Sequence, residues 1–142
     1  MNYEIRDWSY MSYLILRVMI NALSIVIAVK LVDGITFSGE WWKMIIVGGV
    51  FGLVNSFIKP LVQLFSIPFI ILTLGLFTLI INTLMLGLTA SLSDSLHLGF
   101  QIRGFWSAFW GAIIVSIVSM LLSWVTGIKR IRYIRHTDKW EE

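Results

Sequence analysis

Apolar stretches broken by short polar clusters set the rhythm of this chain, and the rhythm occurs twice. Residues 13–32, 42–58, 74–92 and 105–126 are almost wholly apolar, and a helix needs about 20 such residues to cross a bilayer. The first copy reads Ile20-Asn21-Ala22-Leu23, an apolar run, then Gly34-Ile35-Thr36-Phe37-Ser38-Gly39-Glu40-Trp41. The second reads Ile81-Asn82-Thr83-Leu84, an apolar run, then Gly99-Phe100-Gln101-Ile102-Arg103-Gly104-Phe105-Trp106. Gly34/Gly99, Gly39/Gly104 and Trp41/Trp106 match at an offset of 65 (106 − 41), whereas Asn21 and Asn82 differ by 61, so four extra residues fall within 91–98. The pattern predicts an all-α integral membrane protein: four transmembrane helices from a duplicated helical hairpin, with a pseudo-two-fold axis along the membrane normal. Repeat 1 covers about 13–58, a linker 59–73, repeat 2 about 74–126, and a basic tail 127–142, all in one membrane domain.

The linker, Lys59-Pro60-Leu61-Val62-Gln63-Leu64-Phe65-Ser66-Ile67-Pro68-Phe69-Ile70-Ile71-Leu72-Thr73, is too apolar for a solvated loop. Pro60 suits a first helical turn, and Pro68 removes a mid-helix hydrogen bond and implies a bend. The expectation is a kinked interfacial helix between the halves; the alternative is an extension of the third span. In the two G-x-x-x-x-G loops, Ile35 and Phe37 alternate with Thr36 and Ser38, and Phe100 and Ile102 with Gln101 and Arg103. Such alternation between glycines is a strand signal, so the loops are expected either to pair as a short two-stranded outer cap or to form two ordered turns.

Composition supports the membrane reading. Hydrophobic residues make up 58% of the 142-residue chain and charged residues 13%, against about 25% charged in soluble domains. The first apolar run follows Glu4, Arg6 and Asp7 and no A-x-A-like site follows it, so it is read as a retained signal-anchor rather than a cleaved leader. There is no cysteine, which excludes disulfides, thiolate metal sites and Cys nucleophiles. Arg6, Arg17, Lys59, Lys129, Arg130, Arg132, Arg135 and Lys139 fall on one side of the predicted spans; Lys30, Lys43 and Arg103 fall on the other. Lys/Arg excess marks the cytoplasmic side, so both termini and the linker are expected there. Trp41, Trp42, Trp106 and Trp110 gather at the outer boundary, and Trp8, Trp124 and Trp140 towards the inner one, as an aromatic belt would.

Candidate chemistry is sparse. Asn21 and Asn82 sit amid apolar sequence, where a carboxamide seeks partners on a neighbouring helix. They are read as an interhelical pair between the first and third spans, or else as the polar lining of a pore or substrate site. Asn55, with Ser119 at the corresponding place in the fourth span, is read in the same way. Arg17 lies one turn before Asn21 on the same face and is expected to snorkel to headgroups, as is Lys59. Small residues recur at fours: Gly48, Gly52 and Ser56; Thr83, Gly87 and Ser91; Ala108, Ala112 and Ser116. These rows permit close helix packing within one chain or between chains. His97 and His136 fall on opposite sides of the predicted membrane and no phosphate-binding glycine motif occurs, so no catalytic, metal or cofactor site is expected. Asp94, near His97, is read as solvated. In the tail, Lys129, Arg130, Arg132 and Arg135 are expected to contact anionic headgroups, each worth about 1 kcal/mol, and nucleic acid is not an expected partner.

Gly52-Leu53-Val54-Asn55-Ser56-Phe57-Ile58-Lys59-Pro60, then Pro68, Leu72-Thr73-Leu74-Gly75-Leu76-Phe77 and Ile81-Asn82-Thr83-Leu84-Met85-Leu86, resemble a bacterial membrane family, the phage holin family 4 or mycobacterial four-span phage holin superfamily. The resemblance covers about 13–125. It departs at Glu40, at Ser119 where an Asn would repeat, and in the extended basic C-terminus. It implies a four-span bacterial inner-membrane protein and, by its label, lesions that release a lytic enzyme. Three functions stand as expectations: a small non-enzymatic membrane protein that assembles with itself or a membrane partner, a holin-like permeabilising channel, and a small-solute transporter. The last draws on the duplication common in transporter folds.

Overall fold

A computed structural model describes residues 2–127, with side chains from Tyr10 onward; the basic tail lies outside the described residues. In chain order the elements are α1 (Asn2–Leu31), β1 (Ile35–Phe37), α2 (Trp41–Leu53), a π-helical turn (Val54–Ile58), α3 (Lys59–Leu72), α4 (Phe77–Ser95), β2 (Phe100–Ile102) and α5 (Gly104–Thr126). Among the described residues four helical segments are long and apolar enough to cross a membrane: Tyr10–Leu31, Trp41–Leu72, Phe77–Ser95 and Gly104–Thr126. Packed neighbours run α2–α1–α5–α4, and α2 also touches α4, so α1 and α4 face each other diagonally.

The two loops pair. β1 and β2 form an antiparallel ribbon in the register Ile35↔Ile102, Thr36↔Gln101 and Phe37↔Phe100. Thr36 and Gln101 are themselves 65 apart, so the residues facing each other at the ribbon's centre occupy matching places in the two loops. Two bonds tie its ends: Ser38 N–H donates to the Gly99 carbonyl (3.0 Å) and Arg103 N–H to the Gly34 carbonyl (2.7 Å). Ile35 and Phe100 point inward and are fully buried, while Thr36 and Gln101 are exposed. Period-two alternation requires this division. Gly99 has φ +88°, and a Cβ there would stand 2.8 Å from Gly39 N, so the crossing of the loops needs glycine for both conformation and space.

Beneath the ribbon lies the main core, with Ile25, Ala28, Val47, Leu86, Ala112 and Val115 meeting Ile35, Leu98 and Phe100. This packing fills the strand end of the bundle. α1 and α2 approach closely at Gly48, where a Cβ would sit 2.8 Å from Ala22 N and 2.9 Å from Val18 O. Gly52 faces α1 as well, its Cβ position 3.2 Å from Asn21 Nδ2. In α5, Gly111 makes room for Ile35, and Ala108 and Ala112 are buried. The small-residue rows of the second and fourth spans therefore serve contacts inside one chain, although Ser56 is exposed.

The linker is helical, and it joins the second span directly through the π turn rather than lengthening the third. Trp41–Leu72 is one 32-residue run. Pro60 follows directly on the π turn, and Pro68 is carried inside α3. The break comes later, at Thr73–Leu76, where Leu74 (φ +56°) and Gly75 (φ +91°) reverse the chain into α4. The Thr73 hydroxyl clasps this turn, donating to the Phe69 carbonyl (2.8 Å) and accepting from Phe77 N–H (3.0 Å). At 1.5 Å per residue, α4 spans about 27 Å and the Trp41–Leu72 helix about 47 Å. Both start from the ribbon and meet at one turn, so the excess of about 20 Å is taken up by slant and bending of the longer helix. Val62 and Ile70 of α3 rest on a second small cluster of Val54, Ile81 and Met85, yet α3 buries no residue fully.

Candidate functional site

The polar residues of the spans converge on one cavity. It has a volume of about 330 Å³ and opens between α1, the π turn, α4 and α5, on the side of the bundle away from the ribbon. Its floor is apolar: Ile20, Phe51, Ala112 and Val115. Its walls carry Asn21, Asn55, Asn82, Ser116, Ser119 and Ser123, and two cations, Arg17 and Lys59, share it. Among the described residues no carboxylate lines it.

Depth follows from helix rise. Asn21 lies about 15 Å along α1 from its strand end, near mid-span, and Arg17 about 21 Å. Lys59 is about 27 Å from the start of α2 and Ser123 about 28 Å from the start of α5. The cavity thus runs from the middle of the bundle, where hydrocarbon would surround it, to the level at which a bilayer core of about 30 Å ends.

Asn21 is only 7% exposed. Among the described residues its carboxamide has no hydrogen-bond partner, and no fully enclosed side-chain nitrogen or oxygen lacks one. The remaining accessible surface of Asn21 therefore belongs to the cavity. Asn82 Nδ2 donates to Ser116 Oγ across α4 and α5 at 3.4 Å, a long bond. Ser119 Oγ donates back to the Ser116 carbonyl at 3.3 Å. Arg17 Nη1 donates to the Tyr13 hydroxyl at 3.0 Å, and Arg17 is otherwise exposed at the mouth.

The expected Asn21–Asn82 pair is not formed, for a geometric reason. Asn82 precedes Gly99 by 17 residues and Asn21 precedes Gly34 by 13, and the four extra residues extend α4 to Ser95 as helix. That added turn sets Asn82 about 6 Å further from the ribbon than Asn21. The diagonal placement of α1 and α4 does the rest. Asn21, Asn55, Asn82 and Ser119 are brought together around one space, whereas sequence spacing suggested contacts between pairs. Lys59 and Arg17, read singly from sequence as headgroup-seeking, share its mouth; the four-residue spacings of Arg17 to Asn21 and of Asn55 to Lys59 were the available signal. The third small-residue row lies elsewhere. Thr83, Gly87 and Ser91 flank a lateral groove of about 760 Å³ between α4 and α5, closed on the other side by Phe105 and Ala108.

At the strand end, Lys43 lies over the Trp42 ring (5.5 Å) and its Nζ donates to the His97 carbonyl at 3.4 Å. Trp42 Nε1 donates to Glu40 Oε2. The Lys43 bond ties the start of α2 to the loop that precedes β2. Among the described residues no three His, Cys, Asp or Glu side chains gather as a metal set.

Residues 12–121 match the family described as mycobacterial four-span phage holin, superfamily IV. The chain belongs to that family. It is 46% identical over 118 residues to the uncharacterised protein SCO3922 of Streptomyces coelicolor, covering 80% of this chain and 94% of the relative. It is 34% identical over 105 residues to the uncharacterised membrane protein YvlD of Bacillus subtilis, covering 74% and 85%. No solved structure matches it. The family match takes in all four spans, the ribbon and every cavity residue except Ser123. This is a small four-span membrane protein of the holin family, and no enzymatic family is indicated.

Proposed function

We propose that the protein is a non-enzymatic bacterial inner-membrane protein, with both termini cytoplasmic, that works by assembling with itself or with another membrane protein. The observation that carries this reading is α3. The helix begun by α2 outruns the hydrocarbon thickness, and its last 14 residues bury none of their side chains while exposing Leu61, Leu64, Phe65, Phe69 and Leu72. A helix apolar on most sides is covered by lipid or by protein, and one that slants out of its own bundle offers its faces to a neighbour. The small-residue rows are not the assembly surface in this reading, because Gly48, Gly52 and Ala112 are already used inside the chain. We read the two hairpins as copies of one unit, a view supported by the central Thr36↔Gln101 pairing. The Lys/Arg distribution supports the orientation.

The cysteine-free sequence makes the test direct. Phe65→Cys or Leu61→Cys in native membranes should give cross-linked species, and the particle extracted into nanodiscs should weigh more than one chain. A single-chain particle without cross-links at either site overturns the assembly reading.

The family description favours a second reading, permeabilisation of the membrane. The strand end of one bundle is filled by Ile25, Ile35, Leu86 and Phe100, so a conducting path would have to run between copies. Induced expression that leaves the membrane potential intact, at levels where a known holin collapses it, rules that reading out.

A further inference from the structure

We infer that the cavity between α1, the π turn, α4 and α5 is a binding site for a phosphate group, presented by an anionic lipid headgroup or by a free phosphate. This does not depend on how the protein assembles.

Three features of the site point to an anion. Among the described residues its charged side chains are both cations, Arg17 and Lys59, and no carboxylate lines it beside them. Two cations brought to one space repel each other, and a shared anion removes that cost. Further in, Asn21 supplies a carboxamide that is nine-tenths buried and unpartnered among the described residues. A polar group held near mid-span without a partner is costly, and a ligand oxygen accepting from its Nδ2 meets the need. The hydroxyl of Ser123 offers a further donor on the α5 wall. Guanidinium, ammonium, amide and hydroxyl donors around one space suit the several acceptor oxygens of a phosphate better than the single charge of a halide.

Size and depth fit as well. A volume of about 330 Å³ lies at the low end of small-molecule sites, enough for a phosphate with a short polar substituent and too little for a lipid's acyl chains. The mouth, at Lys59 and Ser123, is about 27–28 Å from the ribbon. Lipid phosphates of the leaflet on that side stand at this height, and free phosphate reaches it from the adjoining water. The π turn contributes directly: an i→i+5 turn rotates the residues after it relative to a regular α-helix, and Asn55 within it and Lys59 just after it both reach the cavity.

The test uses the full chain in phosphatidylcholine nanodiscs, with thermal unfolding as the readout, since a ligand that binds only the folded state raises Tm. Doping with phosphatidylglycerol and adding inorganic phosphate are separate arms. Arg17→Gln, Lys59→Gln and Ser119→Phe, which fills the cavity, are compared with Lys43→Gln at the far end. Folding of each variant is judged by its Tm in pure phosphatidylcholine. The expected result is a Tm rise in the parent and Lys43→Gln, with at least tenfold weaker apparent affinity in the three cavity variants. A rise with phosphatidylglycerol alone assigns the phosphate to lipid, and a rise with inorganic phosphate assigns it to a soluble anion. No rise in either arm, or a rise equal in parent and cavity variants, overturns the site; the second outcome assigns anion binding to other cations of the chain. If Lys59→Gln fails to fold, Ser119→Phe and Arg17→Gln decide alone.

Discussion

Gly48→Ala adds one methyl group at the close contact between α1 and α2, and its cost can be worked from distances. The new Cβ would stand 2.8 Å from Ala22 N, 2.9 Å from Ala22 Cβ and 2.9 Å from Val18 O. Two of these atoms belong to the α1 backbone, which cannot step aside as a flexible side chain can. Restoring ordinary contact means moving α1 and α2 apart by about half an ångström, and a gap of that size forfeits a quarter or more of each dispersion contact along the seam. Overpacking of this kind costs about 1–3 kcal/mol. The cost is specific to the contact, because the same change at Gly87, also mid-helix, meets no atom within 4 Å. There alanine should be neutral or slightly stabilising, by up to about 1 kcal/mol from helix propensity. The assay is reversible unfolding of parent, Gly48→Ala and Gly87→Ala in one detergent mixture, with particle size checked in parallel. The expected order of stability is Gly87→Ala, at or above the parent, then Gly48→Ala well below both, with particle size unchanged. Equal stabilities would refute the reasoning, and a Gly48→Ala variant that stays stable but changes particle size would move the contact between chains.

Ser93→Ala removes the hydroxyl that accepts from Phe100 N–H at 3.1 Å in a fully buried setting; leaving that donor unpaired should cost about 1–3 kcal/mol, read as a lower unfolding midpoint. Asn82→Leu breaks only a 3.4 Å bond to Ser116 and should cost about 0.6 kcal/mol, the mean for polar contacts between membrane helices, in the same unfolding assay. Cysteine at Ser38 or Ser95 should react with an impermeant thiol reagent added to intact cells and cysteine at Thr137 should not; labelling at Thr137 alone would invert the proposed orientation.

Much of the fold was legible because membrane helices announce themselves by length and hydropathy. Even the ribbon could be read from three alternating residues between glycines, because both loops carry the same signal. The helix Trp41–Leu72 shows where this kind of reading fails. Pro60 looked like the start of a separate element, but the helix runs on through the π turn ahead of it. The actual reversal at Thr73–Leu76 rests on a leucine at φ +56° held by a threonine hydroxyl. Leucine rarely adopts that conformation, so nothing in its side chain advertised the turn. The cavity was half legible. Each of its polar residues stood out against apolar surroundings, but sequence spacing compares residues on one helix and cannot tell which of four helices are diagonal.

If the hairpins are copies of one unit, as proposed above, the cavity forms where their sequences stop matching. At the ribbon the offset between halves is 65 (106 − 41), and Thr36 faces Gln101 in a register that exchanges the two loops. Below it two departures accumulate. On the α1/α4 side, α4 carries an extra turn that displaces Asn82 from the height of Asn21. On the α2/α5 side the offset falls to 64 at Asn55 and Ser119 (119 − 55), and a π turn, which takes up one more residue than an α turn, occupies Val54–Ile58. Beneath the ribbon the buried side chains are mostly apolar, and further from it polar residues border the cavity. A lysine at 59 has a serine, Ser123, as its counterpart at offset 64, so the site has its ammonium on one side only. A symmetric cap holds the four helices together at one end, and that leaves the other end free to be asymmetric, which a site for a single headgroup requires.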